Sequence, residues 1–120
     1  MQERIRFIDH HGKRILLVDL SNCPVKQLEG LIRNVPDYVT VEPLGSVLVL
    51  TDFTGAQFDH DSVRAIKETA VFDKPFVKKS ALIGMEGLPV LFYEELKSFS
   101  RREMTIFENR DAALAWLVAD

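Results

Sequence analysis

The sequence predicts an α/β protein: a mostly parallel mixed sheet with an N-terminal antiparallel hairpin and four amphipathic helices. The first observation is the stretch Ser46–Gly55, whose four consecutive apolar residues lack the alternation of a strand with one wet face, so both faces of this strand are expected to be covered. The second is that strand-like and helix-like patterns alternate along the rest of the chain. The third is size and composition, since 120 residues with 47% apolar and 28% charged side chains are typical of one globular domain, here 1–120.

The N-terminal part predicts a hairpin followed by a helix. The runs Arg4–Asp9 and Arg14–Leu20 resemble strands, and the polar, glycine-containing connection between them is typical of a hairpin. Pro24 then precedes apolar residues at helical spacing, namely Val25, Leu28, Ile32 and Val35. We expect residues 34–36 to end this helix and residues 36–43 to form an extended connection.

After the central strand, the pattern continues through three more helices and two strands. The acidic stretch Asp59-His60-Asp61-Ser62 opens a helix, and Val77–Gly84 indicates the next strand. The predicted third helix carries its apolar face on Leu88, Leu91, Phe92, Leu96 and Phe99. A short strand, Glu103–Phe107, precedes a last helix that is capped by Asn109 and packs through Ala113, Trp116 and Leu117.

Charge and composition exclude several classes of function. A net charge of −3 argues against non-specific binding to nucleic acid, which needs concentrated positive charge. The single cysteine, Cys23, cannot form an internal disulfide, and the first residues lack the apolar core of a signal peptide. No apolar run approaches the roughly 20 residues that span a bilayer, so no integral membrane segment and a cytoplasmic location are expected. Neither the three histidines nor any carboxylate cluster has metal-ligand spacing or the pattern of a catalytic triad, so we expect no metal, no cofactor and no catalysis.

The best candidate for a binding site is the edge of the sheet where the parallel strands end, because ligands of α/β sheets gather there. Strand ends and helix starts should bring seven residues to this edge: Asp52, Thr54, Asp61, Ser62, Gly84, Glu86 and Asn109. Gly84 and Glu86 belong to a strand-to-helix turn, whose free N–H groups could hold an anion or simply form a tight turn.

A second candidate is the group Phe72, Phe76, Lys78 and Lys79. Aromatic side chains beside lysines could meet an anionic lipid headgroup, an apolar ligand or an acidic partner. The alternative is a solvated strand entry with both phenylalanines packed on the core.

The element order, the stretch Leu-Val-Leu-Thr-Asp-Phe-Thr-Gly-Ala-Gln-Phe and the Asp-Ser helix start resemble STAS domains of anti-sigma-factor antagonists. The segments 78–84 and 107–117 are more closely similar to the small SpoIIAA-like, or STAS/SEC14-like, bacterial proteins. The resemblance implies a non-enzymatic regulatory or protein-binding module that uses the region of the second helix. It also makes Ser62 a possible phosphosite, whereas the alternative role of Asp59, Asp61 and Ser62 is to cap the helix.

The similarity to SEC14-like folds favours, as the alternative function, a binder of a small apolar or lipid-like ligand. A homodimer is possible through exposed strand edges.

Overall fold

The computed structural model describes residues 3–85, 93, 94, 96–98 and 104–119. Its strands form one five-stranded sheet in chain order, with β1 and β2 antiparallel and all other neighbours parallel. The strands are β1 (Ile5–His10), β2 (Lys13–Asp19), β3 (Val47–Asp52), β4 (Val77–Ile83) and β5 (Met104–Ile106). The predicted α/β class, mixed sheet and N-terminal hairpin are confirmed.

Three helices have defined bounds: α1 (Val25–Val39), α2 (His60–Asp73) and α3 (Arg110–Val118). A 3-10 turn, Lys74–Phe76, joins α2 to β4. Residues 93, 94 and 96–98 are also helical, and Leu96 is buried in the core as predicted. The other apolar residues of the predicted third helix, Leu88, Leu91, Phe92 and Phe99, lie outside the described residues. No described helix has the length and apolar character needed to cross a membrane.

The turn of the hairpin between β1 and β2 consists of two residues. His11 (φ 49°) and Gly12 (φ 80°) both have positive φ. A type I′ turn needs positive φ at both of its central residues, and the twist of this turn matches that of the two strands it joins. This turn sets the register that pairs His10 with Lys13 and Ile5 with Val18.

The central strand β3 is buried on both faces, as its four apolar residues predicted. Val47 and Val49 pack with α1 and α2 on one face, whereas Leu48 and Leu50 pack with α3 on the other. The molecule therefore has three layers, and α3 covers its face through Ala113, Leu114 and Leu117.

The parallel strands give the sheet two distinct edges. We call the edge where β2, β3 and β4 end the carboxyl-end edge and the opposite one the amino-end edge. Helices α1 and α2 begin at the carboxyl-end edge and return to the amino-end edge, because each connects the end of one parallel strand to the start of the next. Helix α3 begins at the carboxyl-end edge, directly after β5.

The prediction that α1 ends at residues 34–36 was wrong, as was the extended connection that was predicted to follow. The helix continues through Pro36 to Val39, and the carbonyl oxygen of Pro36 accepts hydrogen bonds from the backbone N–H and hydroxyl of Thr40. Proline costs a helix one hydrogen bond, but Val39 is completely buried in the core on the turn that follows. Tertiary packing thus overrides the local signal of Pro36.

Val39 and Val41 offer a matched test of this helix end. Val39→Ala should lower the free energy of unfolding by about 2 kcal/mol, since it removes two buried methyl groups from a closed core. Val41 is 76% exposed, so Val41→Ala should change it by less than about 0.5 kcal/mol. Urea titration of both variants measures the difference, and equal effects would show that Val39 is not packed in the core.

Candidate functional site

Two neighbouring strands end at the carboxyl-end edge in the same local structure. Asp19 ends β2 and Asp52 ends β3, and the register of the sheet pairs these two residues directly. Asp52 Oδ1 accepts a hydrogen bond of 2.9 Å from the N–H of Thr54, and Asp19 Oδ1 accepts one of 3.0 Å from the N–H of Ser21. Each aspartate therefore closes a turn on the residue two positions further on.

The residue after each turn has positive φ, 54° for Asn22 and 69° for Gly55. The N–H of Asn22 donates to the carbonyl oxygen of Thr54 at 2.7 Å, which fastens one turn to the other. The two tetrapeptides, Asp-Leu-Ser-Asn and Asp-Phe-Thr-Gly, follow one pattern of aspartate, apolar residue, hydroxyl residue and a residue that tolerates positive φ. This short internal similarity was not recognised in the sequence, although it is readable there.

Arg110, the first residue of α3, places a positive charge beside this pair of carboxylates. Its Nη2 donates to Asp52 Oδ2 at 3.1 Å, where the side chain of Asp52 is only 9% exposed. Partial burial acts to raise the pKa of Asp19, but the hydrogen bonds from Ser21, with Arg110 and Arg4, lower it below its ordinary value. Like charges on paired residues of adjacent strands repel each other, and Arg110 offsets that repulsion.

The structure brings four of the sequence-predicted residues together at this edge. Asp52 and Thr54 share one turn, and a Cβ atom built on Gly84 would lie only 2.3 Å from the backbone nitrogen of Thr54. Asn109 caps α3 by accepting a hydrogen bond of 2.8 Å from the N–H of Ala112, and it directly precedes Arg110. Glu86 lies outside the described residues.

Asp61 and Ser62 lie at the start of α2, where Ser62 is completely buried. Asp59 Oδ1 accepts a hydrogen bond from the N–H of Ser62, and Ser62 Oγ accepts one from the N–H of Asp59, each at 2.8 Å. This reciprocal pair is a capping box, and Asp61 in the first turn adds negative charge at the positive end of the helix. A phosphate on Ser62 Oγ would require the first turn of α2 to open.

Sequence reasoning did not identify Asp19, Ser21, Asn22 and Arg110 as members of this edge. The repeated tetrapeptide was the available signal for the first three. Arg110 had no local signal, because its role depends on α3 starting beside the end of β3.

The second candidate group, Phe72, Phe76, Lys78 and Lys79, is divided between different surfaces. Phe72 is 59% exposed on the last turn of α2, whereas Phe76 packs against the core on the same side of the sheet. Lys79 lies on the other side, where its Nζ donates to the carbonyl oxygens of Trp116 and Ala119 at 3.0 and 2.7 Å. Lys79 thus stabilises the C-terminal end of α3, and Lys78 remains exposed.

A cavity of about 70 Å³ lies between the sheet and helices α1 and α2. Most of its lining is apolar, and Thr51, Asp73 and Ser80 provide the polar part together with Thr69. Among the described residues, no three His, Cys, Asp or Glu side chains come close enough together to hold a metal ion. Cys23 is buried, and burial raises the pKa of its thiol.

The contact between Gly84 and Thr54 predicts a large effect of a small substitution. Gly84→Ala should lower the free energy of unfolding by at least about 2 kcal/mol, because strain at φ 72° is combined with a backbone clash. Gly45 has a similar φ of 65° but open space around it, so Gly45→Ala should cost only about 1 kcal/mol. Thermal and urea unfolding of both variants compare strain alone with strain plus clash, and equal losses would show that Gly84 is not packed on Thr54.

The capping box also predicts a dependence on pH. Hydrogen bonds from the backbone and hydroxyl of Ser62 lower the pKa of Asp59 below its ordinary value. The stabilisation is therefore complete above the ordinary pKa of about 3.9 and is lost as pH falls through the lower pKa of the folded state. Asn also caps helices but does not titrate, so the stability difference between the wild-type chain and Asp59→Asn should shrink below about pH 4.

Urea titrations of the two proteins across this pH range measure that difference. Asp37→Asn, at an exposed position on α1, is the control for the loss of a surface carboxylate. A difference that stayed constant below pH 4 would contradict the capping role of the Asp59 carboxylate.

Comparison of the chain with protein-family models, with curated proteins and with solved structures gave no match in any of the three cases.

Proposed function

We propose that this chain is a non-enzymatic protein-binding module of the STAS/SEC14-like type, whose partner contacts the outer surface of α1 and α2. The observation that carries this proposal is the exposure of Phe72, 59% of which is accessible on a helix whose other apolar residues mostly pack inward. The resemblance of the sequence to anti-sigma-factor antagonists, which use the second-helix region, points to the same surface.

The surroundings of Phe72 have the composition of a small protein interface. A shallow recess between the two helices is lined by Phe72 with Pro36, Thr69, Arg33 and Glu68. Val71, the preceding residue of α2, is also 43% exposed. An aromatic residue within a polar surround is typical of the residues that dominate binding energy at interfaces.

An ion-pair network borders this recess. Arg33 pairs with Glu68 of α2 at 3.0 Å and with Glu29 of its own helix at 3.2 Å. The hydrogen bonds to Glu68 and to Glu29 raise the pKa of Arg33 above its ordinary value. The network links α1 to α2 beside Phe72, which lies on a helix rather than on a loop.

The carboxyl-end edge supports a structural role more than a catalytic one. Asp52 bonds Thr54 and Arg110, Asp19 bonds Ser21, and Arg4 donates to the carbonyl oxygens of Asp19 and Ser21. These groups are engaged with the chain itself, which favours a module that binds over one that transforms a substrate.

The alternative function, binding of a small apolar ligand, is favoured by the cavity beneath α1 and α2. Its volume of about 70 Å³ is roughly half of the ~150 Å³ cavity that admits benzene in an engineered protein core. A lipid-sized occupant would therefore have to displace a helix.

Affinity capture with purified chain as bait tests the proposal. We expect a partner that is retained by the wild-type chain and lost with Phe72→Ser, with at least about tenfold weaker binding once that partner is purified. Ile106→Ser is the matched control, because Ile106 is a 43% exposed apolar residue at the opposite edge of the sheet.

Two results would count against this function. One is that no captured protein depends on Phe72 while the variant remains folded. The other is an added mass on the purified chain that is present under native conditions and lost on denaturation, which would favour the ligand-binding alternative.

A further inference from the structure

The amino-end edge carries a protruding apolar loop at residues 41–46, which we call the amino-end loop. Val41 is 76% exposed and Leu44 is 72% exposed, the two highest values among the large apolar side chains that the structure describes. Neither residue lines the cavity beneath α1 and α2 or the Phe72 recess. Both side chains project into solvent.

Hydrogen bonds and an ion pair fix the conformation of the amino-end loop. The N–H groups of Gly45 and Ser46 donate to the carbonyl oxygens of Pro75 and Phe76 at 2.9 and 3.1 Å. Ser46 Oγ donates to the carbonyl oxygen of Pro43 at 2.6 Å, and Glu42 forms an ion pair of 3.2 Å with Arg14. The exposed positions of Val41 and Leu44 are therefore set by the fold.

The charge at this edge is opposite to that of the chain as a whole. Among the described residues, five cationic side chains reach the surface here, against three carboxylates, although the whole chain carries −3. The cations are Lys13, Arg14, Lys74, Lys78 and Lys79, and the carboxylates are Asp9, Asp37 and Glu42. Lys74 and Lys78 are exposed and form no ion pair within the described residues.

A bulge in β4 contains one of these lysines, Lys78. The register between β3 and β4 shifts after Val47, so that Val77 pairs with Val47 and Lys79 pairs with Leu48, which leaves Lys78 as the extra residue. Lys78 then lines a recess of about 430 Å³ together with Lys13, Arg14 and Pro43 of the amino-end loop. A positive recess beside two projecting apolar side chains matches a surface that has both anionic groups and accessible hydrocarbon.

We propose that the amino-end edge docks on an anionic lipid bilayer. Val41 and Leu44 enter the boundary between headgroups and acyl chains, while Lys74 and Lys78 lie beside lipid phosphates. Apolar residues next to unpaired lysines are the combination that holds peripheral proteins on such membranes. This docking uses the amino-end loop and the recess beside it, which shares no lining residue with the Phe72 recess, and it does not depend on the proposed function.

Co-sedimentation with vesicles tests the docking. The full chain should sediment with vesicles made of equal parts of phosphatidylcholine and phosphatidylglycerol, and not with pure phosphatidylcholine. Leu44→Ser should weaken binding about tenfold, and Lys74→Gln with Lys78→Gln should weaken it on the order of 20-fold, about fivefold for each charge. Added salt should weaken the binding of the wild-type chain, because screening reduces the lysine contribution.

Matched substitutions at the opposite edge are the controls. Lys26→Gln removes an exposed lysine from the first turn of α1, and Ile106→Ser removes an exposed apolar side chain from the end of β5. Both variants should bind vesicles as the wild-type chain does. Equal binding to neutral and anionic vesicles, no binding to either, or an undiminished affinity of the Leu44 and lysine variants would overturn the proposal. A dimer in sedimentation velocity that Leu44→Ser dissociates would also overturn it, since the amino-end loop would then be an interface between two copies.

Discussion

The burial of both faces of β3 is the constraint on which this architecture depends. Four consecutive apolar residues cannot be covered by one helical layer, since successive side chains of a strand point to opposite sides. The chain meets this requirement by returning from β2 and from β3 along the same side of the sheet, as α1 and α2, and by placing α3 on the other side. The parallel order of β2, β3 and β4 follows from these crossovers, and so does the division of the sheet into two unlike edges.

The two edges differ in how their polar groups are used. At the carboxyl-end edge the aspartates, hydroxyl residues and Arg110 bond one another and fix how the strands pass into their turns. At the amino-end edge, where α1 and α2 end and β3 and β4 start, Lys74, Lys78 and the apolar side chains of the amino-end loop face outward. The usual position of ligands in α/β sheets directs attention to the first edge, whereas the three most exposed large apolar side chains of the described residues, Val41, Leu44 and Phe72, lie at the second edge and on α2.

The sequence was sufficient to predict the elements whose signals are local. The apolar run of β3, the glycine of the hairpin, the acidic start of α2 and the cap at Asn109 all produced the expected structures, because each depends on residues within a few positions of one another. Pro36 misled the prediction of where α1 ends, since the burial of Val39 depends on the sheet beneath it. The ion pair of Arg110 with Asp52 and the division of Phe72 from Lys79 were also out of reach, because they depend on which face each helix covers.

The position of α3 in the chain also affects how the protein is made. One whole face of the sheet, which includes Ile15, Leu17 and Leu50, has α3 as its cover within the described residues. During synthesis, about 35 residues separate the end of β4 from the end of α3, which corresponds to about 2–7 s of elongation at ~5–20 residues per second. For that interval the newly made strands have no cover over a row of aliphatic side chains, and transiently exposed apolar surface of this kind favours aggregation.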